Sequence, residues 1–211
     1  MKNATTQYTP ADLQGPGFEL LDTLLHQDLF PFIQRAFKVR NGAYWVYNSL
    51  MTIFALLLVG LMLKDVVRGE WQLSEEFTYF SYGLLGSFLL IPLHEYIHAL
   101  AYRYVGATNT SYDMNLRKFY FMAMADRFVA SAKNLTIVLL APFVVISIIS
   151  LSIALLVSGY WTFIPLGVFF THAMFCSGDF GMLNYLQTHR GKELYTYDDK
   201  ARGESYFYAK R

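Results

Sequence analysis

Charge is what this sequence has least of. Asp, Glu, Lys and Arg make up 16% of its 211 residues, against 55% of hydrophobic types. Soluble domains average nearer a quarter charged, so the balance points to lipid. Neither sign is in excess. A formal net charge of +1 excludes the basic footprint that a nucleic-acid surface requires. A single cysteine, Cys176, excludes an intrachain disulfide; in its apolar run it reads as a small buried hydrophobe. No secretory signal is expected either. The first forty residues are polar and mixed in charge, without a short basic start and an apolar core. The first apolar run, near Ala43, is therefore expected to stay in the protein as an anchor.

What is present is a set of long apolar runs. Ala43–Leu63 carries no charge and ends at Lys64-Asp65. A hydrocarbon core about 30 Å thick needs roughly 20 helical residues, so this run predicts a first span over 43–63. Tyr44, Trp45 and Tyr47 at its start match an interfacial aromatic belt. Phe77–Leu93 is uncharged and continues through Tyr104 as a second span, 77–104. Gly83, Gly86 and Ser87 give it a small-residue face suited to close packing. Pro92 is placed to loosen its backbone. From Leu135 to Gly178 there is no Asp, Glu, Lys or Arg. One helix of that length would be roughly 66 Å long, twice a bilayer. The run must fold back at Ser158-Gly159-Tyr160-Trp161, giving spans near 135–157 and 161–188.

The basic residues sort by side. Fifteen of the seventeen Lys and Arg fall in the N-terminal segment, the loop between spans two and three, and the C-terminal tail; only Lys64 and Arg68 fall opposite. This positive-inside signal puts both termini in the cytoplasm, with the cell membrane the expected location. Residues 18–38, rich in Leu and Phe, read as an amphipathic segment on the membrane surface. An ordinary packed helix covering the bundle end is the alternative.

His94-Glu95-Tyr96-Ile97-His98 interrupts the second apolar run. Residues four apart share a helix face, and these two imidazoles sit about 6 Å apart along the axis. Both can reach one metal, with Glu95 beside the first ligand as general base. That is the mechanical content of H-E-x-x-H: zinc lowers the pKa of its bound water and the carboxylate takes the proton. A histidine cluster without metal is the bland reading. Ionisable residues in an apolar span are costly unless paired or functional, which favours the site. A catalytic zinc usually takes three protein ligands. Asp179, in Ser177-Gly178-Asp179, is the acidic residue that bounds the long apolar run, and the charge count puts it at the depth of His94 and His98. His172 is the alternative ligand, on the same predicted face but about 10 Å deeper. Cys176 is also placed to face the site. His26 and His189 lie outside the spans and are expected to be solvated.

Leu93 to Leu100 resembles the zinc helix of site-2-protease-like intramembrane metalloproteases. Closer still is a compact family of zincin peptidases. Its members share an H-E-x-x-H helix, a Leu-Ala-Pro entry to the next span and a Ser-Gly-Asp in the last. Here those are His94–His98, Leu140-Ala141-Pro142 and Ser177-Gly178-Asp179. The resemblance covers about residues 85–195. It implies an intramembrane zinc peptidase with Asp179 as third ligand. The sequence departs from larger site-2 proteases in having no Asn-Pro-Asp-Gly string, and a fused regulatory domain like theirs is not expected.

Tyr112–Leu116 and Phe119–Met124 flank Arg117-Lys118 and read as two short strands about a basic turn. A hairpin edge beside the zinc site, at Phe121 and Met122, is placed to bind an unwound substrate by strand addition. A purely structural cap is the alternative.

The sequence thus predicts an all-α integral membrane protein of about four transmembrane helices with a short cytoplasmic β-hairpin-like loop. It divides into a cytoplasmic amphipathic N-terminal segment (1–42), a four-span metallopeptidase core (43–189) and a cytoplasmic tail (190–211). The expected activity is hydrolysis of peptide bonds in membrane-associated proteins or peptides near the cytoplasmic face, with one zinc ion per chain. The lipid bilayer is an expected partner and nucleic acid is not. The alternative is a zinc-binding membrane protein without hydrolysis: a transporter, sensor or scaffold. Spans one and three carry few of the polar residues that an ion pathway would need.

Overall fold

A computed structural model describes residues 8–69, 72–115 and 120–211. Lys2 of the charge count, and Leu116–Phe119 with the basic pair Arg117-Lys118, lie outside the described residues. In chain order the elements are α1 (Pro10–Leu13), β1 (Phe18–Leu25), a 3-10 turn, α2 (Leu29–Ala36), α3 (Gly42–Val67), α4 (Leu73–Leu89), α5 (Ile91–Tyr104), β2 (Ser111–Asn115), β3 (Tyr120–Met124) and β4 (Ala130–Ser131). Then come α6 (Ala132–Leu156), a second 3-10 turn, α7 (Phe163–Phe175), α8 (Ser177–Thr188), β5 (Leu194–Asp199) and β6 (Glu204–Lys210).

The all-α expectation is overturned. A four-stranded antiparallel sheet in the order β1-β6-β5-β4 accompanies the helices, with a separate β2–β3 pair. The stretch expected as a surface-lying amphipathic segment contains β1, paired Phe18 to Lys210 through Leu25 to Glu204. The C-terminal stretch read as a tail is a hairpin, closed by Gly203 at φ +65, a left-handed conformation that suits glycine. The physical reason lies in the sheet's partners. β1 is half-buried and apolar on no regular helical or strand period, and its partners on β6 are about 180 to 190 residues away. Charge counting sees only that both stretches fall on the same side. Phe207 on β6 stacks on Phe32 of α2 at 5.9 Å and meets Tyr185 of α8 edge-on at 4.9 Å. The sheet is thereby fastened over the ends of the helices.

Two helices among the described residues are long and apolar enough to cross a membrane, over Gly42–Lys64 and Ala132–Leu156. Their surfaces are apolar all round: Leu56 and Leu155 are 68% and 88% exposed, which suits a lipid-facing helix. The other two apolar runs are each bent. α4 and α5 meet at 50°, and the 159–175 and 177–188 helices meet at 43°; each pair passes the same length and composition test when taken together. Pro92 explains the first break: it has no N–H for a helical bond, so α5 begins with proline in its first turn, where none is needed.

α4 and α7 pack backbone to backbone. A Cβ on Gly83 would overlap the Ile164 carbonyl oxygen, and one on Gly167 would overlap that of Phe80. Ser87 Oγ spans the same crossing, donating to Gly83 O at 3.0 Å and Val168 O at 3.3 Å. Small residues at the crossing are what let two helix backbones approach this closely. Gly86, of the same predicted face, meets open space.

Candidate metal centre

Both bends lie within about one helical turn of the residues that the sequence singles out. Leu90, where α4 ends, precedes His94 by four residues, and Cys176, between α7 and α8, precedes Asp179 by three. The changes of direction turn the α5 and α8 faces toward each other. His94, Glu95, His98 and, one turn on, Tyr102 project from one side of α5 into a cavity of about 230 Å³ that Asp179 also lines. Asp179 occupies the first turn of α8, where the helix dipole favours an anion.

The two motif histidines meet Nε2 to Nε2 at 3.0 Å. Asp179 Oδ1 lies 3.3 Å from His98 Nε2, and Asp179 Oδ2 lies 3.5 Å from His94 Nε2. Zinc bonds of about 2.0–2.2 Å in a tetrahedron set ligand atoms roughly 3.3–3.6 Å apart; the two Asp179 distances fall in that range, and the Nε2–Nε2 distance of 3.0 Å is slightly shorter. A second observation agrees. Asp179 Oδ2 is buried with no hydrogen-bond donor, a costly state unless a cation faces it.

The far sides of both rings are also engaged. His98 Nδ1 lies 2.9 Å from the carbonyl oxygen of Val138 in α6. A carbonyl only accepts, so Nδ1 carries the hydrogen and a neutral His98 presents a bare Nε2 lone pair. That lone pair faces a carboxylate oxygen and a second imidazole nitrogen, an arrangement that needs a positive centre among them. His94 Nδ1 lies 3.0 Å from His172 Nε2, and the Cys176 sulfur is 3.8 Å from the His172 ring. Partners of this kind, behind the ligands, set ring orientation in metal sites.

Glu95 is held from the other side. Its Oε2 accepts from the Ala123 N–H of β3 at 2.6 Å, while Oε1 stands 3.8 Å from His94 Nε2. The hairpin expected over 112–124 is the β2–β3 pair, in register from Ser111 opposite Met124 to Asn115 opposite Tyr120. Phe121 and Met122 both line the cavity.

The structure therefore brings His94, Glu95, His98, Asp179, Phe121 and Met122 to one cavity. It brings His172 to the site as well, but behind His94 rather than beside Asp179. The bend at Cys176 breaks the continuous face on which the sequence had aligned those two. His26 departs from expectation: it is 2% exposed, with Nδ1 3.1 Å from Asp113 Oδ2 and Nε2 3.3 Å from Ser205 Oγ. It ties β2 to β6. Two contributors were not picked out as site residues: Ala123 and Val138. Both act through backbone groups, which side-chain patterns do not report.

No curated protein and no solved structure matches the chain. One protein family does, over residues 87–192. That stretch is half of the chain, and it holds both the α5 histidines and Asp179. On this evidence the chain belongs to the family described as "putative zincin peptidase".

Proposed function

We propose that this protein is an intramembrane zinc metallopeptidase, similar in manner to site-2 proteases, that hydrolyses membrane-associated substrates near the cytoplasmic face. The observation that carries the reading is the triangle of His94 Nε2, His98 Nε2 and the Asp179 carboxylate, with side lengths of 3.0–3.5 Å and Glu95 Oε1 at its edge. His94, His98 and Asp179 hold one zinc ion per chain. When bound there, zinc supplies Lewis-acid polarisation and makes water acidic enough to attack near neutral pH. Glu95 is the general base, and Oε1 is the atom that takes the proton, since Oε2 is engaged by Ala123.

In this reading all four apolar runs cross the bilayer and both termini are cytoplasmic. The sheet supports the arrangement. β1 precedes all the runs, β4 follows the second and β5 and β6 follow the fourth, yet the four strands are hydrogen-bonded together. Strands in one sheet share a side, so an even number of crossings separates each from the next.

The β3 edge is the proposed substrate rest. The Ala123 N–H that reaches Glu95 is turned away from β2. By antiparallel alternation the N–H of Phe121 is turned the same way, while that of Met122 faces the ladder. An extended substrate laid along this edge would run past Glu95.

Purified wild type, Glu95→Gln and Asp179→Ala test the proposal by zinc content and cleavage of membrane-protein substrates. Glu95→Gln is expected to keep its zinc and lose about 10²–10⁴-fold in rate, and Asp179→Ala to lose both. Equal cleavage by wild type and Glu95→Gln sinks the peptidase reading and favours zinc binding without hydrolysis. Undiminished zinc in Asp179→Ala sinks the ligand assignment.

A further inference from the structure

α6 runs unbroken from Ala132 to Leu156 with Pro142 inside it. In an α-helix the carbonyl of one residue accepts from the N–H four residues on. The residue four on from Val138 is Pro142, which has no N–H. Val138 is 2% exposed, so water does not replace the missing donor. A freed carbonyl inside a membrane helix persists only where a neighbour satisfies it. Here the neighbour is the His98 ring on α5, with Nδ1 at 2.9 Å.

We propose that Pro142 is a positioning residue of the metal site: by withholding an N–H it leaves the Val138 carbonyl to His98, and so holds that ring in the tautomer that presents Nε2. The inference rests on the reading of His94, His98 and Asp179 as metal ligands. The bond matters because Nδ1 and Nε2 of a neutral imidazole exchange roles. Without a fixed acceptor at Nδ1, the ring can move its hydrogen to Nε2, where it blocks the metal-facing lone pair. The carbonyl is a rigid acceptor because the rest of α6 keeps its helical bonds. It fixes ring rotation as well as tautomer. It also gives the Leu140-Ala141-Pro142 string a chemical reason: the proline acts one turn back from its own position, on a residue outside the string. His94 has no equivalent device, since its Nδ1 partner, His172, can donate or accept.

The test compares full-length Pro142→Ala with wild type and with a variant carrying the α-hydroxy analogue of alanine at position 142. That analogue has alanine's side chain and an ester in place of the amide, and therefore no N–H. Three quantities are read in detergent: zinc affinity by competition with a chromophoric chelator, the visible spectrum of the cobalt(II)-loaded protein, and the ¹⁵N shifts of His98 in histidine-labelled apoprotein, which separate the neutral tautomers. Pro142→Ala is expected to lose roughly 10–100-fold in zinc affinity, to shift the cobalt bands and to show a mixed His98 tautomer. The ester variant is expected to return all three to wild type. Wild-type behaviour of Pro142→Ala, or an ester variant that behaves like it, overturns the proposal. Wild type that binds neither zinc nor cobalt overturns the metal reading, and the apoprotein tautomer still decides the role of Pro142.

Discussion

His172 Nε2 lies 3.0 Å from Nδ1 of His94, on the side of that ring away from Asp179. A residue there is placed to orient the ring of His94. His172→Ala is therefore expected to lower zinc affinity about 10–100-fold while keeping one zinc per chain at saturation. His172→Gln, which can still accept at a similar place, should recover part of the loss. A chelator-competition titration of the three proteins checks this. Loss of all binding in His172→Ala, as complete as in Asp179→Ala, would make His172 a ligand.

The alternation on β3 separates two substitutions that the sequence treats alike. Proline at Phe121 removes an N–H on the cavity side and spares the ladder to β2; proline at Met122 removes a ladder bond opposite Asp113. Phe121→Pro is expected to keep its zinc and its melting temperature and to lose at least about tenfold in cleavage. Met122→Pro should lower stability as well. Full cleavage by a zinc-loaded Phe121→Pro protein removes the edge-strand role.

The α4–α7 crossing leaves no room for a methyl group at Gly83 or Gly167. Gly83→Ala is expected to destabilise the protein by about 1–3 kcal/mol, the usual cost of forcing atoms into a packed contact. Gly86→Ala, three residues on and facing open space, should stay within about 0.5 kcal/mol of wild type. Denaturation in detergent of both variants measures the contrast, and equal effects would mean that the helices can separate without penalty.

Asp198 on β5 predicts a pH effect. Burial raises its carboxyl above the ordinary value of 3.8, against the Ser205 hydrogen bond and the nearby His26. The folded state therefore holds this proton more tightly than the unfolded chain. As pH rises from the unfolded value through the folded one, the folded form must ionise a disfavoured group and stability falls. Asp198→Asn keeps an acceptor for Ser205 Oγ, 2.6 Å away, and removes the ionisation. The variant's advantage in melting temperature should grow as pH rises above the ordinary carboxyl value of 3.8. An advantage independent of pH would assign the effect to something other than this carboxyl.

The sequence by itself determined the apolar runs long enough to cross a membrane, the H-E-x-x-H face and the position of Asp179 just past the last run. All of these follow from composition or from spacing along one chain, because a helix converts sequence distance into position at a constant rate. Tertiary structure decided the rest. It made a sheet from both ends of the chain, since a strand is defined by a partner that may lie anywhere in the sequence. It bent two runs near the site, and that set His172 against the Nδ1 side of His94. It also showed the acceptor behind His98. Pro142 is written in the sequence as a residue type, but what it does there, leaving Val138's carbonyl for a histidine on the next helix, appears only when α5 and α6 are packed together.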